Sequence, residues 1–167
     1  ALAAALLYSF SHALIKSALL MLAGWLASKT SDKTSAIVKS HGLGQKMPVA
    51  SALFFIGGLA LAGIPPLNGF VSKLALVQGG VAAAENSVNQ WLSLGLVVGG
   101  GILTLMYVTR LWQIVFQQAP NDQTAHLKPA DEGDSIFAPA FLIGLCIALG
   151  LFAQPLVDVA QQVAASL

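Results

Sequence analysis

Ten of the fifteen charged side chains in this sequence fall within two short segments, 27–47 and 117–134, and the rest of the chain is almost free of charge. The apolar stretches, 1–26, 48–84, 91–116 and 135–157, each meet or exceed the roughly 20 residues that cross a bilayer as a helix. Only 9% of the residues are charged and 56% are hydrophobic, whereas a soluble domain carries about 25% charged residues. The chain lacks the side chains to coat a water-facing surface, so the expected fold is all-α, a single transmembrane helix bundle over 1–167 embedded in lipid. A net charge of +1 gives no basic stripe for nucleic acid. One cysteine, Cys146, and three dispersed histidines offer neither a disulfide framework nor a metal cluster, and no cofactor is expected. The chain opens at Ala1 inside an apolar run with no Met or charged leader before it, and is expected to be a piece of a longer protein.

Segment 27–47 holds Lys29, Asp32, Lys33, Lys39 and Lys46, a net +3 close to membrane ends, which places it on the cytoplasmic side by the positive-inside rule. Segment 117–134 holds Asp122, Lys128, Asp131, Glu132 and Asp134. Its acids contribute little to orientation, and Pro120, Pro129 and Gly133 mark an irregular connector. Glu85 lies in the short link 85–90. Four charges remain inside or at the edge of apolar segments: Lys16, Lys73, Arg110 and Asp158. A charge at bilayer depth costs roughly 2.5–3.5 kcal/mol on insertion scales, so such groups face a bundle interior or a water-filled path.

The stretch 48–84 is too long for one straight span and is interrupted by Gly63-Ile64-Pro65-Pro66-Leu67-Asn68-Gly69. It reads either as two short spans joined by a turn or as one discontinuous helix broken near 64–72. Backbone freed at membrane depth is tolerated where it is buried in protein or lines water, and such breaks mark ion sites. Lys73, seven residues after Pro66, favours the broken helix, because a two-span hairpin would leave it without a partner.

In the first apolar segment Tyr8, His12 and Lys16 recur every four residues and share one helix face, with Ser11 nearby. Imidazole, amine and phenol are donors and acceptors suited to passing a proton in short hops, whereas a lone histidine is commonly a packing residue and a lone lysine can snorkel. Lys16 lies ten residues from Leu26, roughly 15 Å by helical rise, beyond comfortable snorkelling. Lys16 and Lys73 are therefore expected to be enclosed and functional. Arg110, between Tyr107 and Trp112, fits an interfacial anchor as well as it fits a relay. Gly99-Gly100-Gly101 is expected to permit close helix packing, and Asp158, after Gln154 and Pro155, is expected at an interface.

The run Ser11-His12-Ala13-Leu14-Ile15-Lys16-Ser17-Ala18-Leu19-Leu20, followed by Leu22-Ala23-Gly24, resembles the histidine-to-lysine helix of the antiporter-like membrane subunits shared by Mrp-type cation/proton antiporters and respiratory complex I. The run Leu59-Ala60-Leu61-Ala62-Gly63-Ile64-Pro65-Pro66-Leu67-Asn68-Gly69-Phe70-Val71-Ser72-Lys73 is similar to the discontinuous helix of that family's second inverted repeat, in a form most like the Mrp D-type branch. The resemblance covers nearly the whole chain but only the C-terminal part of the family bundle. It implies a relay of His12, Lys16 and Lys73, with Tyr8, Ser11, Ser72 and Arg110 as candidate supports and the helix break at Gly63, Pro65, Pro66 and Gly69. Some members carry histidine where this chain has Tyr8, which leaves the role of that phenol open. The resemblance also favours one broken span over 48–84, hence four crossings with both long loops on the cytoplasmic face. The function it implies is a proton-translocating subunit of a multisubunit cation (Na⁺)/proton antiporter in an energy-coupling membrane such as the bacterial inner membrane, with other membrane subunits as partners. The alternative is a proton-pumping membrane subunit of an NADH-quinone oxidoreductase or membrane hydrogenase, and a third reading is a purely structural subunit. No nucleophile–base pair or metal constellation points to an independent enzyme.

Overall fold

The computed structural model describes residues 2–29, 41–83, 88–120 and 135–166. All regular structure among them is helical: α1 (Leu2–Ser28), α2 (Pro48–Ala62), α3 (Asn68–Ala83), α4 (Val88–Trp112) continuing into a π-helical turn (Gln113–Gln117), α5 (Phe137–Leu151) and α6 (Gln154–Ser166). Residues 30–40, 84–87 and 121–134, which include most of the charges of both polar loops, lie outside the described residues. Two helical stretches, Leu2–Ser28 and Trp91–Gln117, are long and apolar enough to cross a membrane unaided.

Apart from the Tyr8, His12 and Lys16 stripe of α1 and the amphipathic α6, these helices are apolar nearly all round, as expected of surfaces that meet lipid or other helices on every side. Leu20 is 71% exposed, Leu96 68% and Leu103 68%, so the apolar exterior is as real as the core. What packs the bundle is a set of close approaches at small residues. On α2, a Cβ at Gly58 would run into the Val108 side chain of α4, and one at Gly57 would sit 2.8 Å from Leu19 of α1. The Trp112 indole donates to the Ser51 hydroxyl at 3.1 Å and to the Ser51 carbonyl at 3.2 Å, tying the far end of α4 to α2. Below these contacts Ala18, Leu22, Leu43, Met47, Ala50, Val115, Phe116 and Ile143 form one buried cluster, and Ile15, Ala60, Leu67 and Cys146 form a second beside the break.

The contacts fix the helix directions. Along α1 from Leu19 through Ile15 and His12 to Leu7, the facing residues run from Gly57 through Gly69 and Lys73 to Gln78. Helices α2 and α3 thus continue one another in the same sense, antiparallel to a single α1 of 27 residues, about 40 Å long. The same holds against α4, where Leu94, Gly101 and Val108 face Gly80, Ala62 and Gly58 in turn.

The interruption is shorter than the expected 64–72. Gly63, at φ 88°, ends α2 in the left-handed conformation that glycine adopts without steric cost,. Pro65 and Pro66, joined by a cis peptide bond, have no N–H to give a helix, and α3 resumes at Asn68. The last apolar segment also departs from expectation, because it is not one helix to 157. Helix α5 stops at Leu151 and α6 leaves it at 82°. Pro155 accounts for this: its ring would clash with the carbonyl four residues back, at Leu151, but is tolerated in the first turn of a new helix. Asp158 is exposed on α6 and accepts a hydrogen bond from Gln154 Nε2 at 3.0 Å.

Candidate functional site

The last carbonyls of a helix have no donors within it, and at the end of α2 each can be traced. The Gly63 N–H donates to Leu59 and Ala60, and the Ile64 N–H donates again to Leu59. The two that remain belong to Lys73: its Nζ donates to the Leu61 carbonyl at 3.0 Å and to the Ala62 carbonyl at 2.7 Å. A lysine of the second half-helix therefore caps the first, at the end where the aligned peptide dipoles concentrate negative charge.

Glycines make this possible. A Cβ at Gly63 would lie 2.7 Å from Lys73 Cδ. One at Gly69 would strike the Ala60 carbonyl oxygen, and one at Gly150 of α5 would strike that of Pro66, so the first turn of α3 and the flank of α5 both press directly on the break. On α4, a Cβ at Gly101 would be 3.3 Å from the Ala62 oxygen and 3.5 Å from Lys73 Nζ, whereas Gly99 and Gly100 have nothing within 4 Å. The close packing expected of the glycine triplet is thus confined to its third member.

Lys73 stands between two cavities. One, of about 470 Å³, lies between α1, α3 and α4 and is lined by Tyr8, His12, Lys16, Lys73, Thr104 and Tyr107 among others. The other, of about 310 Å³, is lined by Lys73 and Gly101 together with apolar groups such as Ile64, Phe70 and Leu105. In the larger cavity the Tyr8 and His12 rings stack at 5.4 Å with 23° between planes, and Lys16 and Lys73 line the same space. The arrangement places an imidazole, two amines and two phenols around one hollow otherwise walled by apolar groups, with a third hydroxyl at Thr104, which donates to Gly100 at 2.7 Å.

Of the residues singled out from the sequence, Tyr8, His12, Lys16 and Lys73 are brought together. Enclosure is less complete than expected: His12 and Lys73 are half-buried, and Lys16 is exposed at the rim of the cavity. Three supports do not line it. Ser72 is buried and donates to Gly69 at 3.1 Å, Ser11 is 1% exposed on the packed face of α1, and Arg110 is exposed near the end of α4. Thr104, Tyr107, Gly101 and Gly150 were not singled out as site residues. Nor was Asn68, which is 1% exposed at the start of α3 and whose amide has no hydrogen-bond partner among the described residues.

A family model described as "NADH:quinone oxidoreductase/Mrp antiporter, TM" matches residues 1–104. The chain is 36% identical to the D-type Na(+)/H(+) antiporter subunit of Bacillus subtilis over 95% of its own length and 31% of that protein's. It is 29% identical to an F(420)H(2) dehydrogenase subunit of Methanosarcina mazei over 98% of its length and 33% of that protein's. A solved Mrp complex from Dietzia sp. DQ12-45-1b contains a chain that superposes with a TM-score of 0.81 at 25% identity, covering 99% of this chain and 38% of that one. The chain thus spans about a third of the length of the relatives it matches.

Proposed function

We propose, since this chain belongs to the NADH:quinone oxidoreductase/Mrp antiporter transmembrane family, that it is the proton-conducting part of a subunit in a multisubunit Na⁺/proton antiporter. The observation that carries this reading is the Lys73 ammonium, held on two otherwise unclaimed carbonyls at a helix break and facing the cavity that also contains His12 and Lys16. A proton entering the cavity is passed among His12, Lys16 and cavity water to Lys73. Charge arriving at one amine lowers the proton affinity of the next by like-charge repulsion, and the proton moves on. Tyr8 and Tyr107 supply hydroxyls that extend the path, and Lys73 lies where the path reaches the apolar cavity beyond.

The higher identity to the antiporter subunit than to the dehydrogenase subunit, together with the match to an Mrp complex, supports cation antiport over redox-driven pumping. The continuous sense of α2 and α3 supports four crossings, with 48–83 as one broken span and α5 and α6 as a bent fourth. The positive segment 27–47 and the segment 117–134 then share the cytoplasmic face. Helices outside these residues close the rim at Lys16, and other membrane subunits cover the apolar exterior.

The test is cation-dependent proton flux in vesicles carrying the reconstituted full complex. Lys73→Ala, and separately Lys16→Ala, are expected to abolish flux while the complex still assembles. Wild-type flux in both variants removes the relay, and loss of assembly in place of transport assigns the lysines a structural role.

A further inference from the structure

Two backbone oxygens at the negative end of a helix, whose donor among the described residues is a side-chain ammonium, make up a cation site with an occupant that is part of the protein. We propose that the Leu61 and Ala62 carbonyls are a monovalent-cation site which protonated Lys73 fills itself, so that a proton on Lys73 and an alkali cation exclude one another there. The inference deepens the proposed function and rests on it: it names the point at which cation and proton meet.

Four observations carry it. At the end of α2, Leu59 and Ala60 are satisfied by backbone N–H groups, so only the Leu61 and Ala62 oxygens depend on the lysine. Such half-helix carbonyl ends coordinate alkali cations in other broken-helix transporters, and here they already hold a positive charge at 2.7 and 3.0 Å. The glycines at 63 and 101 leave both flanks of the ammonium without a Cβ. Finally, the larger cavity opens onto the same point, with Tyr8, His12, Thr104 and Tyr107 to order the waters that would complete a cation's shell,.

Charge balance explains the exclusion. In one state the proton is on Lys73 and the site holds one positive charge. In the other, the N–H bond breaks, the proton leaves to water in the larger cavity, and one metal cation enters, again leaving one positive charge. A neutral amine offers the carbonyls only bond dipoles, so a full charge displaces it. Both at once would place two positive charges against the same pair of oxygens. Among the described residues, the titratable groups facing Lys73 are Tyr8, His12 and Lys16 from α1 and Tyr107 from α4. None of these comes from α2, and the Cys146 thiol of α5 packs instead with Ile15, Ala60 and Leu67. No carboxylate of the described residues lines either cavity, which disfavours divalent cations.

The experiment measures retention of radiolabelled Na⁺ by the purified full complex across pH. Wild type is expected to show a component that grows tenfold per pH unit until Lys73 is neutral. In Lys73→Ala that component persists and loses its pH dependence. In Lys73→Arg, whose permanent cation keeps the carbonyls, it vanishes. Equal retention in all three at every pH overturns the proposal. A second measurement needs no variant. At a pH where Lys73 is mostly protonated, added Na⁺ but not choline is expected to raise its acylation by a small amine reagent, up to tenfold for each tenfold of Na⁺ below saturation, as read by mass spectrometry. No rise overturns the proposal even if the variants fail to assemble. Loss of flux in Lys73→Ala without Na⁺ competition refutes this site alone, whereas intact flux in both Lys73→Ala and Lys16→Ala refutes the relay.

Discussion

Gly150→Ala is the sharpest structural test of the break, because the helix that carries Gly150 also carries its own control. A Cβ at Gly150 would strike the Pro66 carbonyl oxygen and come within 2.6 Å of Leu67 C and 2.7 Å of Asn68 N, where ordinary contact is about 3.5–4.0 Å. All three partners are backbone, in the unwound link and at the first residue of α3, so none can swing aside as a side chain would. Helix α5 must back away or the link must deform, at about 1–3 kcal/mol for an overpacked site. Gly144→Ala, on the same helix with nothing within 4 Å, gains the same helix propensity, up to about 1 kcal/mol, without the clash. Subtracting one variant from the other cancels propensity and leaves the steric cost, equivalent to roughly a 5- to 150-fold difference in unfolding equilibrium. Denaturant titration of the two variants in the same detergent, followed by tryptophan fluorescence, measures it. Equal stabilities would refute the packing of α5 against the break at this residue.

Gly101→Ala is expected to lower proton flux several-fold, and about tenfold if roughly 1.4 kcal/mol of Lys73 anchoring is lost, while Gly99→Ala and Gly100→Ala leave it unchanged; a flux series in vesicles distinguishes them. Trp112→Phe removes two hydrogen bonds to Ser51 and should cost about 1 kcal/mol, with Ser51→Ala adding less in the double variant than alone, as read from unfolding midpoints. Cysteines placed in 121–134 should react with an impermeant reagent from the same face as cysteines placed in 30–40, and labelling from opposite faces would rule out a four-crossing topology. Cys146, 1% exposed, should resist a membrane-permeant maleimide until the complex is unfolded.

The sequence made the break legible because proline and glycine act locally: no neighbour can restore the N–H that Pro65 and Pro66 lack. The stripe of Tyr8, His12 and Lys16 was legible for a similar reason, since a four-residue spacing fixes a shared face whatever the helix packs against. The same arithmetic explains the supports that fell elsewhere. Ser11 and Ser72 are one residue, about 100° of helix, from His12 and Lys73, and Arg110 is nine residues from Gly101, about half a turn out of phase. Their polarity suggested the site while their phase excluded it. Gly101, Gly150, Thr104 and Tyr107 were hidden because their roles depend on which helix passes close by, and interhelical approach leaves no mark on local spacing. Pro155 carried a signal for the bend after α5 that the long apolar run masked.

Capping α2 with an amine also fixes which chemical substitutes the position can accept. A carboxylate there would set negative charge against the Leu61 and Ala62 oxygens and offer them no hydrogen. A carboxylic acid could serve one oxygen, but only while uncharged. Exchanging the base for an acid would therefore make the resting state neutral and leave one peptide oxygen to be quenched from elsewhere, so the swap requires a compensating donor, with the non-helical stretch between the half-helices or the α4 flank as the nearest places to put it.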